Sequence, residues 1–179
     1  MLKIVLTNIC LCIDWLVRQA GRAAAFIMPV LALVVAFEVF SRYVLGQPTI
    51  WAFDLSLFMF GYLAALGGAY AQQQRAHINV DILYLKVSRH TRSVFNLISF
   101  SLAIFFLIII VKVSFGKYEE AIEFDYRRQS EWAPPMFHFW IMMMIASGLF
   151  IAQLARDMLA ELYFLTTGQM LIEAQNDGN

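Results

Sequence analysis

The chain has 179 residues, of which 61% are hydrophobic and only 15% charged, with a mean hydropathy of +0.67. A soluble domain of this size sits nearer half apolar and a quarter charged, so composition excludes an ordinary soluble fold. Thirteen basic residues balance thirteen acidic ones, which gives no reason to expect a nucleic-acid partner.

In chain order, residues 1–20 come first. Polar Lys3, Thr7, Asp14 and Arg18 recur near helical spacing, and Leu6, Ile9, Ile13, Leu16 and Val17 fill the other side. That pattern predicts an amphipathic helix lying in the bilayer interface, apolar face down. A signal peptide is the rival, but Asp14 and Arg18 would interrupt its apolar region, and further spans follow. Cys10 and Cys12 would point about 200° apart on such a helix, a poor geometry for a disulfide or a chelate, so both read as small apolar residues.

Four apolar runs follow: Ala23 to Ser41, Ile50 to Ala71, Val94 to Phe115 and Met136 to Ala155. Each is close to the ~20 residues a helix needs to cross a bilayer. None shows the alternation of a membrane barrel strand. The fold class is therefore all-α integral membrane: four transmembrane helices preceded by the interfacial helix, in one membrane domain, with 156–179 a cytoplasmic helical tail. Basic residues orient it. Lys3, Arg18 and Arg22, then Arg75, Lys86, Arg89 and Arg92 in the loop after span two, and Arg156, outnumber those on the opposite side. Both termini are expected in the cytoplasm.

Charges at membrane depth are functional candidates, because burying them is costly unless they are paired. Glu38 and Arg42 stand one turn apart near the end of span one, as an ion pair or as a patch for a partner's helix. Gly46-Gln47-Pro48 reads as a tight turn. Trp51 then sits at the interface, and Asp54 lies one turn deeper, with Arg42 its nearest cation in sequence. Gly61 with Ala65, and Ala64 with Gly68, have the spacing of close helix contact, within this chain or with another. After span two come Arg75, His77 and Asp81, too few ligands for a metal site.

Span centres, by contrast, are apolar or small. Ser147 and the backbone near Pro29 are the polar exceptions. No cofactor, metal or catalytic set is legible. A haem-bearing redox anchor is disfavoured, since His77 and His90 lie in a loop and His138 begins span four. A small autonomous exporter should carry a mid-bilayer carboxylate, and Asp54 is too near a helix end.

The stretch Glu38 to Tyr84 carries an ordered pattern: Glu38, Arg42, Tyr43, Gly46 and Pro48, then Trp51, then Gly67, Ala69 and Tyr70, then His77, Val80 and Asp81. It resembles the small four-helix subunit, of DctQ type, of the TRAP (tripartite ATP-independent periplasmic) transporters. Asp54 stands where that family usually has Glu, which keeps the charge and shortens its reach. Gly68 is a second departure. Ser130-Glu131-Trp132-Ala133-Pro134-Pro135 resembles the entry to the last helix in part of the family, adding Ser130, Trp132 and Pro134 to the candidates for a partner interface or a structural polar role.

The resemblance implies a division of labour in the bacterial inner membrane. A periplasmic binding protein captures an organic anion, often a carboxylate or acidic sugar. A large transmembrane permease subunit moves it by a sodium-driven elevator motion. The small subunit braces that partner's scaffold and helps to dock the binding protein.

Overall fold

The computed structural model describes residues 2–74, 88–169 and 171. Among the described residues there are four helices: α1 (Leu2–Tyr43), α2 (Ala52–Gln73), α3 (Arg89–Glu123) and α4 (Phe137–Thr167). All four are long and apolar enough to cross a membrane, so the protein is an all-α, multi-pass membrane protein as its hydropathy predicts.

Three helices overrun the apolar runs that announce them. At 1.5 Å per residue α1 is about 63 Å long, and α3 and α4 are about 52 and 46 Å, against a hydrocarbon layer of about 30 Å. Hydropathy reports where the bilayer begins, not where the helix ends. Arg89 and Arg92, expected in a loop, belong to the first turn of α3, behind the N-cap of Ser88, whose hydroxyl accepts from the Thr91 amide. The expected tail is helical as far as Thr167, where Gly168 caps α4 at φ 70°. Methionine 170 and residues 172–179 lie outside the described residues.

The N-terminal segment is not an element of its own but the start of α1. Ala20, Gly21 and Ala23 to Ala25 contain no helix stop, and the helix also runs on through Pro29. The face it buries differs from the expected one. Cys10, Val17, Gly21 and Ala24 recur at helical spacing and are buried, whereas Leu11, Trp15 and Leu16 face outward. The reason is Asp14, which lies on the buried stripe and finds a cation there.

Cross-helix pairs fix the directions. Phe37 stacks on Trp51 and Asp14 accepts from Gln73, so α1 and α2 are antiparallel. Gly61 lies against Phe139 and Gln72 donates to Asp157, so α4 runs parallel to α2. Ser93 donates to Glu161 and Ser101 to the sulfur of Met158, which sets α3 antiparallel to α4. α1 and α2 pack on each other and on α4, while α3 lies against α4. One end of the bundle holds the start of α1 and the end of α4. The other holds the loops 44–51 and 124–136.

The central buried cluster holds two alanines and a leucine, Ala24, Leu66 and Ala146, with Ala20, Ala65, Met142 and Leu149 around it. In lipid, helices associate through close packing rather than water exclusion, which small residues permit. At Gly21 an added Cβ would stand 2.4 Å from Cγ of Tyr70. An added Cβ at Gly61 would press on the Phe139 ring at 3.0 Å, whereas at Gly68 it would reach the Phe150 ring at an ordinary 3.5 Å. The small-residue face of α2 therefore seats α4 of the same chain, although Ala64 points outward.

Candidate functional site

Polar side chains gather at the two ends of the bundle. At the loop end, α1 closes with Gly46 at φ 67°, a backbone that favours glycine. The Ser41 hydroxyl donates to the Gln47 carbonyl at 2.5 Å, and the Gln47 amide returns a bond to the Ser41 carbonyl at 3.0 Å. This turn brings Thr49 back over Glu38. Glu38 accepts from the Thr49 amide at 3.0 Å and from its hydroxyl, and Arg42 pairs with the other carboxylate oxygen at 2.5 Å. The Glu38 carboxylate is thus shared between a turn and a guanidinium. Tyr43, next in line, is 79% exposed.

Asp54 takes a different cation from the one nearest in sequence. Its carboxylate, 1% exposed, pairs with Nε of Arg128 at 2.5 Å and accepts from the Ser130 hydroxyl. Arg42 is committed to Glu38. The position of Asp54 in the first turn of α2 also suits a negative charge, because unpaired amides there carry partial positive charge.

The loop that supplies Arg128 and Ser130 is internally fastened. The Arg128 amide donates to the Pro134 carbonyl and the Met136 amide to the Tyr126 carbonyl, both at 3.0 Å. These bonds hold Ala133 in the left-handed region at φ 45° and bury Pro134. Trp132 is left 41% exposed at the rim, and the Arg128 guanidinium lies 5.8 Å over the Phe53 ring. The structure thus joins Asp54 to Arg128 and Ser130, in the loop where Pro134 is buried. His77 and Asp81 lie outside the described residues.

Deeper in, Tyr62 hydrogen-bonds to Nδ1 of His138, and Phe58 packs edge-on to that imidazole at 4.7 Å. His90 lies 5.8 Å from Phe164 toward the opposite end. The two described histidines therefore have separate partners and share no ligand space.

The terminal end holds clusters that sequence reasoning missed. Arg156 on α4 donates to Asp14 of α1 at 2.8 Å and to its own neighbour Asp157 at 3.1 Å. Gln72 and Gln73 of α2 donate to Asp157 and to the Asp14 carbonyl at 3.0 and 2.8 Å. Three helices are tied at one point. Beside it, Glu161 accepts from Ser93 and Asn96 at 2.8 Å each and pairs with Arg89 at 3.1 Å, fastening α3 to α4. Spacing held a usable signal: Arg156, Asp157 and Glu161 share a continuing helical turn with span four, and Asp14 is the sole carboxylate of the first segment.

Comparison with known proteins now settles the class. Residues 31–163 match the family model described as "Tripartite ATP-independent periplasmic transporters, DctQ component". The chain belongs to the DctQ family. The matched span runs from the first helix through Glu161 and Tyr163, so it contains the Glu38–Arg42 pair, the Asp54–Arg128–Ser130 lock and most of the terminal-end cluster. The chain is also 25% identical over 87 residues to the C4-dicarboxylate TRAP transporter small permease protein DctQ of Vibrio cholerae serotype O1. That match covers 49% of this chain and 38% of the relative's length. Membership in that family makes this protein a DctQ component of the tripartite ATP-independent periplasmic transporter type.

Proposed function

We propose that this chain is the bracing subunit of a sodium-coupled importer of organic anions, in which a large permease subunit carries the solute and a periplasmic binding protein delivers it. The observation that carries this reading is where the charges lie. Among the described residues every ion pair falls toward one end of the bundle or the other, at Asp14, Arg89, Arg156, Asp157 and Glu161, or at Glu38, Arg42, Asp54, Lys117, Glu120, Asp125, Arg127 and Arg128. Between them the helices meet through Ala24, Leu66 and Ala146. A carrier needs a polar site near the midplane with access from alternating sides. A brace needs the opposite, a rigid apolar middle with pinned ends.

In this reading the chain sits in the bacterial inner membrane with both termini cytoplasmic, as the basic residues favour. Glu38, Arg42, Tyr43, Trp51, Asp54, Ser130, Trp132 and Pro134 then build the periplasmic end, where Tyr43 and Trp132 are exposed to a docking partner. His77 and Asp81 would lie at the cytoplasmic boundary. The solute is an organic anion of carboxylate or acidic-sugar type, chosen by the partners rather than by this chain.

Assembly tests the proposal. Co-expressed with the large permease subunit of its own transporter, the chain should co-purify with it through size exclusion in mild detergent. Quantitative recovery of the two as separate particles would defeat the bracing role.

A further inference from the structure

Most arginines of the described bundle are matched to carboxylates: Arg42 to Glu38, Arg89 to Glu161, Arg127 to Asp125, Arg128 to Asp54 and Arg156 to Asp14. Arg18 and Arg22 are not. Among the described residues neither has an acidic partner, and Arg22 makes only a 3.4 Å bond to Gln19. They stand at i and i+4 on one exposed face of α1, where like charges repel. A helix that keeps two bare guanidiniums one turn apart is built to meet an anion from outside the chain.

Their depth says which anion. Gly21 packs directly on Tyr70, and Asp14 accepts from Gln73, so Arg18 and Arg22 stand level with the last turn of α2. That helix has 22 residues, about 33 Å, close to the hydrocarbon thickness of a bilayer. Both guanidiniums are therefore at headgroup depth. At about 100° per residue, Trp15, Phe26 and Leu33 fall on the same stripe, and they are 58%, 73% and 70% exposed. Leu33 lies eleven positions beyond Arg22, about 16 Å along the axis, or one leaflet's depth. Trp15 is on the other side of the arginines, where an indole suits the interface.

We propose that this stripe binds an anionic phospholipid, its phosphate held between Arg18 and Arg22 and one acyl chain lying along Phe26 and Leu33. The guanidinium fork accepts phosphate oxygens in pairs, which favours arginine for such recognition. An anion shared by the two side chains converts their repulsion into attraction. The leaflet is the one at the terminal end of the bundle, cytoplasmic in the orientation proposed above. The binding itself does not depend on that orientation.

Native mass spectrometry of the full-length chain in detergent tests this, with dioleoyl phosphatidylglycerol and dioleoyl phosphatidylcholine titrated separately. A basic residue near an anionic surface contributes about a fivefold factor, so Arg18→Gln with Arg22→Gln should weaken phosphatidylglycerol binding roughly 30-fold. Phosphatidylcholine binding should be unchanged. Each single change should cost about fivefold, which serves if the double variant does not purify. Arg127→Gln, which removes a charge at the other end, should leave both lipids unaffected. Equal phosphatidylglycerol retention by the wild type and the glutamine variants would overturn the proposal. So would an equal loss in Arg127→Gln. Release of the large permease subunit from the assembled complex by the glutamine variants, with lipid retention intact, would assign the stripe to a protein partner instead.

Discussion

Replacing Arg128 by alanine should be the most damaging single change at the loop end, and the structure says by how much. The Asp54 carboxylate is 1% exposed and has two side-chain partners, the Arg128 guanidinium at 2.5 Å and the Ser130 hydroxyl. Removing the cation leaves a buried charge with one neutral donor, which typically costs about 3–5 kcal/mol. The lost stacking of Arg128 on Phe53 adds about 0.5–1 kcal/mol. For a chain of this length each kcal/mol moves the melting temperature by about 2–4 °C, so a fall of roughly 10 °C is expected. Asp54→Asn should cost less, because Arg128 is 28% exposed and its charge can turn to water. Combining the two changes should recover part of the loss of Arg128→Ala alone, since the uncompensated carboxylate is gone. Tryptophan-detected melting of the purified subunit in detergent reads all three. A fall of under about 2 °C for Arg128→Ala, with Asp54→Asn the worse variant, would show that Asp54 is not held by this ion pair.

Two further outcomes follow from packing and topology. Gly21→Ala should destabilise by about 1–3 kcal/mol, because its Cβ would overlap the root of the Tyr70 side chain, whereas Gly67→Ala, with nothing within 4 Å, should be neutral or stabilising in the same melts. With Cys10 and Cys12 replaced by alanine, a single cysteine at the exposed Gln129 should react with an impermeant thiol reagent added to intact cells, and one at Gln74 or Thr166 should not. The inverse labelling would reverse the orientation.

The number of spans was legible because a bilayer imposes a length on apolar runs, and each of the four runs falls on one helix of the structure, although Ile50 and Trp51 precede α2 and Met136 precedes α4. Helix ends were not, because helices α1, α3 and α4 continue past the apolar layer on charged residues such as Arg89, Glu120 and Glu161. Glu38 and Arg42 could be paired from sequence, being neighbours on one helix face. The partners of Asp54 could not. Proximity in the chain favoured Arg42, but Arg42 was already neutralised, and the cation that serves Asp54 arrives on a loop folded back from α3. The Asp14–Arg156–Asp157 cluster was hidden for the same reason: it exists only once α1 and α4 lie side by side. The ordered motif from Glu38 onward supplied what pattern alone could not, the family to which the chain belongs.

Transport by purified components tests the bracing role most directly. Three proteoliposome preparations suffice: this subunit alone, the large permease subunit alone, and both together with the binding protein supplied outside. Under an inward sodium gradient, with the organic anion that the binding protein captures, the third should accumulate solute and the first should stay at the level of empty vesicles. Adding Arg128→Ala in place of the wild-type subunit should lower uptake in step with its loss of stability. Sodium-dependent uptake by the small subunit alone would contradict the assignment and make this chain a carrier in its own right.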